Sequence, residues 1–187
     1  AADTLVGANA TVTITGNGDV NLGNVRANAN DTAFQNLTIK AGDLVGALTL
    51  TTGAGNDVMI GGDGSDTYYV QDTGDVVSET NATASTGGTD HVHSYLSAYT
   101  LGANVENGRI LSTGTASLTG NTLNNVLYAG SGNNVLNGST GTDTASFAYA
   151  GAAVTASLAI TAAQATGGSG SDTLLNIENL IGSNYND

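Results

Sequence analysis

The chain has no proline and no cysteine, and only Arg26, Lys40 and Arg109 stand against 16 acidic residues in a length of 187. At average usage about nine prolines would be expected. Paired strands need nearly every backbone N–H for their ladders, and a chain without proline supplies them. The lack of cysteine excludes a disulfide framework and a thiolate metal site. A formal net charge of −13 argues against nucleic acid and against an anionic membrane surface, both of which call for Lys or Arg. No apolar run approaches the length of a membrane-spanning helix, and no signal-peptide pattern is legible. A disordered acidic chain is also excluded: 40% of the residues are hydrophobic, and they alternate in short runs.

What is present is a nine-residue rhythm. From Thr52 the chain reads TGAGNDVMI, GGDGSDTYY and VQDTGDVVS. The sixth place of each nine is an acid, Asp57, Asp66 and Asp75, and the eighth is Met59, Tyr68 and Val77. Glycines fill the front half, where six residues must turn sharply and positive φ is needed at little steric cost. Such a turn aims backbone carbonyls and one carboxylate inward. That all-oxygen set suits Ca2+, which accepts six to eight oxygens in flexible geometry. The last three residues run as a short strand whose middle side chain faces the core.

Successive nines lie on opposite edges of a coil, so a calcium is expected between turns two apart. Asp57 and Asp75, eighteen residues apart, form such a pair. Asp66 would need an acid at position 48 or 84 and finds Leu48 and Ala84, so a poorer site is expected there. A second block, GNTLNNVLY, AGSGNNVLN and GSTGTDTAS, puts Asn125, Asn134 and Asp143 in the sixth place. Asparagine keeps an oxygen but loses the charge, so weaker calcium binding is expected there, best at Asn125 with Asp143. Gly167 to Leu175, GGSGSDTLL, is a further unit with Asp172 in place.

The chain reads as five segments: a strand-rich solenoid segment (1–51), a calcium block (52–80), a loop and strand linker (81–118), a degenerate block (119–147) and a strand segment (148–187). Thr11–Thr15 and Val20–Val25 read as strands around a Gly16–Asp19 turn, and Glu79–Ser85 as a surface loop. Val105-Glu106-Asn107 echoes Phe34-Gln35-Asn36 and Ile177-Glu178-Asn179 at separations of 71 and 72 residues. No useful segment has a 3.6-residue apolar period. An all-β solenoid, a parallel β-roll with Gly/Asp turns and irregular strand-rich insertions, is therefore predicted. The chain opens and closes inside a repeat, as a fragment of a longer protein would.

The runs GAGNDVMIGGDGSDTYYV, SGNNVLNG, GGSGSDTLLNIENLIGSNYND and YTLGANVEN resemble the RTX, or haemolysin-type calcium-binding, family over about half the chain. The resemblance implies a calcium-dependent parallel β-roll. It further implies carboxylate ligands from Asp57, Asp66, Asp75, Asp143 and Asp172, with Asp63 in the same turn as Asp66. Carbonyls of Gly53, Gly55, Gly62, Gly64, Gly168 and Gly170 join them; Asn125 and Asn134 depart from the pattern. Members are typically exported by type I secretion and fold on extracellular calcium. This points to a non-enzymatic segment of an exported bacterial surface protein, S-layer-like or adhesin-like. Copies of itself or cell-surface glycans are its conceivable further partners. The other reading is the calcium-binding module of a secreted protease, lipase or alginate epimerase.

Three sharper readings have blander rivals. His91 and His93 share one strand face and could start a zinc site, but tetrahedral zinc needs further ligands and only Asp90 is near; exposed polar positions are expected. Tyr68 and Tyr69 could stack on sugars; at successive strand places one should face the core and one outward. Asp63 and Asp66 could act as general acid and base, yet the calcium turn already accounts for both.

Overall fold

The computed structural model describes residues 4–5, 11–26, 37–81 and 86–187. Phe34-Gln35-Asn36 and Ala84 lie outside them, as does most of the opening run. Two compact units are present: Ala1–Val92 with Gly102–Asn104, and His93–Leu101 with Val105–Asp187. The division falls within one strand, β9 (His91–Ser94), and the five segments expected from the sequence are distributed over these two units. Among the described residues there is no helix, so none is long and apolar enough to cross a membrane.

The first unit is a parallel β-roll. Its strands are β1 (Thr4–Leu5), β2 (Thr11–Gly16), β3 (Val20–Arg26), β4 (Thr38–Leu44), β5 (Leu48–Thr52), β6 (Val58–Ile60), β7 (Thr67–Val70) and β8 (Val76–Ser78). Odd strands form one sheet and even strands the other, so the chain changes sheet at every turn. From β4 onward the register follows the coil length. Leu50 pairs with Tyr68 on one side, and Ile39, Met59 and Val77 line up on the other. All five are buried, which makes the eighth place of each nine the core position. With three-residue strands only the middle side chain points inward, and burying each such residue contributes about 1.5–3 kcal/mol. Tyr68 is in the core and Tyr69 half-buried, as alternation requires.

The second unit repeats the plan. Its strands are β10 (Ala98–Thr100), β11 (Asn107–Ile110), β12 (Ala116–Thr119), β13 (Val126–Tyr128), β14 (Asn134–Asn137), β15 (Thr144–Ser146), β16 (Gln164–Gly167), β17 (Gly170–Leu175) and β18 (Asn179–Ile181). Leu118, Leu136 and Leu174 stack on one side; Leu127, Ala145 and Leu180 align on the other. The long-period echo has a structural counterpart. Asn104 (φ 64°) and Asn176 (φ 51°) both adopt the left-handed conformation, and each leads through Val/Ile-Glu into an Asn that opens a strand, β11 or β18. Asparagine tolerates that region better than other non-glycine residues.

One expectation changes. Gly167–Leu175 matches the nonapeptide by letter, but β16 runs antiparallel to β17 and Gly167 to Gly170 form the tip of a hairpin. Glycines that permit a roll turn permit a hairpin equally, since both need positive φ (75° at Gly167, 95° at Gly170).

Candidate metal centre

Four of the roll turns are closed by their own sixth residue. The N–H of the second place donates to the sixth-place side chain: Gly62 to Asp66 Oδ2 (3.3 Å), Gln71 to Asp75 Oδ2 (3.0 Å), Asn121 to Asn125 Oδ1 (2.8 Å) and Gly130 to Asn134 Oδ1 (2.8 Å). The turns lie so close that Gly64 (φ +97°) rests on the backbone of Gly46 one coil earlier. A Cβ there would come within 2.8 Å of it.

The other carboxylate oxygen reaches back one coil. Asp57 Oδ1 accepts the Leu37 N–H (2.8 Å), and Asp75 Oδ1 accepts the Asp57 N–H (3.1 Å). On the opposite edge Asp66 Oδ1 accepts from Leu48 (2.7 Å) and Asp90 Oδ1 from Asp66 (2.8 Å). In the second unit Asp143 Oδ1 accepts from Asn125 and Glu178 Oε2 from Asp143, both at 2.7 Å. On that unit's other edge Asp172 Oδ1 accepts from Asn134 at 2.7 Å. The sixth-place N–H groups of Asp57, Asp66, Asn125, Asn134 and Asp143 lie at or just before the start of their strands, and a later coil's acid supplies each acceptor; that of Asp75 donates instead to the Asp72 carbonyl of its own turn (3.0 Å). Asp57 and Asp75 are thus brought together as the sequence predicts.

Asp66 is not the poorer turn. Its stacked partner is Asp90, twenty-four residues on, because the 79–88 segment lengthens that coil. Glu79, expected in a surface loop, is buried beside them, and one oxygen from each of Asp66, Glu79 and Asp90 lies within 4.8 Å of the others. The Tyr68 hydroxyl donates to Glu79 and sits 3.3 Å from Asp66 Oδ2. Burial, reinforced by these acids, raises its pKa and keeps it a donor. This is the one cluster of three or more metal-ligating acids or histidines among the described residues, and neither His91 nor His93 belongs to it. Asp63 stands apart, accepting from Asn81 Nδ2 at 2.5 Å.

Electrostatically these turns are unfinished. Burial pushes the Asp57 carboxyl up from 3.8 to about 6, with the neighbouring Thr52 hydroxyl and the Leu37 N–H opposing the rise and Asp75 and Asp72 adding to it. Burial also raises Asp66, Asp143 and Asp172; Glu178 adds to the rise at Asp143. Asp57 Oδ2 and Asp143 Oδ2 are buried with no hydrogen-bond donor, as is Thr52 Oγ1 in the first of these turns. Buried carboxylate oxygens without donors, gathered with other acids, form a hard and negatively charged donor set that fits Ca2+.

The RTX calcium-binding nonapeptide repeat matches residues 49–77 and 112–145, in four copies. The chain carries RTX repeats. It contains a calcium-binding structural module, and the parallel β-roll is the fold of such repeats. Among characterised proteins and solved structures nothing matches the chain.

The hairpin at 167–175 lies outside the matched RTX segments, and its chemistry differs. Asp172 Oδ2 accepts the Thr166 hydroxyl proton, the same hydroxyl oxygen lies 3.1 Å from the Gly170 carbonyl, and the Gly168 carbonyl accepts the Gly151 N–H (3.2 Å). Asp172 thus has a protein donor on each oxygen, as Asp66 and Asp75 do, and the Gly168 carbonyl has one as well. Asn125 likewise uses both ends of its amide, with Oδ1 on Asn121 and Nδ2 on the Val105 and Glu106 carbonyls. At Asn134, Nδ2 is buried without an acceptor, an unfavourable neighbour for a cation.

Counting by nines overlooks Glu79, Asp90 and Glu178. The usable signal for Glu178 is the Val105-Glu106-Asn107 echo. For Asp90 it is the Gly87-Gly88-Thr89-Asp90 run, which re-enters the turn pattern after the longer segment.

Proposed function

We propose that this module holds calcium chiefly at the Asp57–Asp75 and Asp66–Glu79–Asp90 turns. It serves as a non-enzymatic structural segment of an exported bacterial surface protein, S-layer-like or adhesin-like. The supporting observation is the stack of buried carboxylates on both edges of the first roll, with a donor-free oxygen on Asp57. When bound, calcium would neutralise those carboxylates and draw the turns together. The residues of the chain would still make the coil-to-coil hydrogen bonds.

A structural role in place of a catalytic one is supported by how the acids are engaged. Asp66 holds the Leu48 and Gly62 N–H groups and Asp63 holds Asn81, which leaves neither arranged as a proton donor to a substrate. Exposure to extracellular calcium is the condition under which such a segment would complete its fold.

The test is a calcium titration followed by circular dichroism and calorimetry. Cooperative gain of β signal and melting temperature is expected on calcium addition, reversed by EGTA. A spectrum and melting point indifferent to excess EGTA would overturn the reading.

A further inference from the structure

In the second unit one edge carries Asn125, then Asp143, then Glu178, which belongs to no nonapeptide. The Asn125 amide nitrogen donates to the carbonyls of Val105 (3.0 Å) and Glu106 (3.1 Å), the kind of oxygens a cation would otherwise collect. A cation placed there would meet the positive end of that amide.

One coil later the situation reverses. Asp143 is 1% exposed, and its Oδ2 has no donor. The Glu178 and Asn179 N–H groups both donate to the Asp143 carbonyl (3.0 and 2.9 Å), which fixes the Glu178 segment against the Asp143 turn. A Cβ built on Gly138 would lie 2.5 Å from Asp143 Oδ2 and 2.2 Å from the Asn176 carbonyl, so those two oxygens converge on one side of Gly138. Glu178 spends Oε2 on the Asp143 N–H, and it is itself exposed, which gives an ion a way in from solvent.

We propose that the calcium ion of this edge sits between Asp143 and Glu178, with the Asn176 carbonyl as a further ligand, and not between Asn125 and Asp143. Two carboxylates then balance the charge of the ion, and one of them comes from outside the RTX pattern. Asn125 acts as an uncharged fastener in the preceding turn. The assignment rests on the calcium-binding reading above.

Isothermal titration of the full chain with calcium chloride tests it. Glu178→Gln keeps an oxygen for the Asp143 N–H and removes the charge. It should lose one equivalent of calcium, or weaken one site at least tenfold, while the circular dichroism of the calcium form is retained. Glu178→Gln binding as many ions as wild type, with affinities within twofold, would overturn the proposal. Asn125→Asp provides a second arm that does not depend on that variant folding. A separate site predicts one additional ion, whereas an unchanged count with a tighter existing ion would place calcium between residues 125 and 143 and overturn the proposal. Failure of the wild type to bind calcium would instead overturn the function proposed above.

Discussion

The Asp57 turn of the first unit and the Asn125 turn of the second meet the same backbone need with different atoms. In both, the sixth-place N–H is taken by the next coil's carboxylate. At Asp57 the turn-side oxygen is buried without a partner; at Asn125 that oxygen accepts the Asn121 N–H, and the amide nitrogen reaches back to two carbonyls of the preceding coil. Both units also use fifth-place fasteners: the Thr89 N–H donates to Ser65 Oγ (3.0 Å) in the first, and in the second Thr142 donates to Asn124 Oδ1 (2.8 Å) and Ser171 to Asn133 Oδ1 (2.9 Å). On the proposed calcium reading, a metal would complete the first kind of turn where an amide already completes the second, and the coils around Asp57 would depend on calcium more than those around Asn125.

Removing calcium should separate the two kinds of turn most strongly. In hydrogen-exchange mass spectrometry, EGTA should lower protection of β5 to β8 by about 100-fold for each site emptied from a hundredfold excess, equivalent to about 2.7 kcal/mol. Protection of β12 to β14 should persist around Asn125. Equal loss in both regions would erase the distinction.

Met59→Ala and Leu136→Ala probe the feature the two units share. Each should cost about 2–5 kcal/mol in denaturant melts with calcium present, because both side chains are fully buried. A much smaller cost for one would mean that its roll is not held by the stacked core.

Asp57→Asn converts a metal turn toward an amide turn and keeps an acceptor for Leu37. Calcium affinity should fall, while the metal-free protein should gain on the order of 1 kcal/mol from losing an uncompensated buried charge. Asp57→Asn and Asp75→Asn should be non-additive in calcium affinity, because both act on one ion; Asp66→Asn should instead couple to Asp90→Asn.

The smallest effect is on pH dependence. The folded Asp57 pKa is raised, so the native state binds more protons than the unfolded chain between 3.8 and about 6. The stability this proton uptake contributes is fully present below 3.8 and lost as pH rises through about 6. Metal-free melting temperatures should therefore fall from pH 4 to pH 7, less steeply in Asp57→Asn. Calcium affinity should rise over the same interval, since protons and calcium compete for the carboxylate.

Much of this was legible in the sequence wherever the coil length holds. Met59, Tyr68, Val77, Leu127 and Leu136 are read as core from a nine-residue count because one residue per strand faces inward. The count fails where a segment lengthens a coil. Asp90 lies twenty-four residues after Asp66, and Glu178 thirty-five after Asp143, yet each lands in the place an eighteen-residue step would fill. Hydrogen-bond geometry selects those partners, and it can recruit an acid across a loop of any suitable length. The hairpin at Gly167–Gly170 marks the opposite limit. There the motif is intact, but a strand returning antiparallel before it changes what the glycines are for.

The backward reach of the acids also gives these rolls a direction. Among the sixth-place acids, Asp57 fastens Leu37, Asp75 fastens Asp57, and Asp90 fastens Asp66, from the later coil to the earlier one, whereas the fasteners at Asp19, Asn124 and Asn133 reach forward. The turn amide of any such coil stays without its carboxylate until the following coil has been laid down, so this side-chain ladder closes like a ratchet whose pawl belongs to the next tooth. Under tension the order reverses: peeling a coil from the later side removes the clasp of its predecessor, whereas peeling from the earlier side leaves the remaining clasps in place. A roll built in this way should be mechanically asymmetric, weaker against a pull on its later end than on its earlier one.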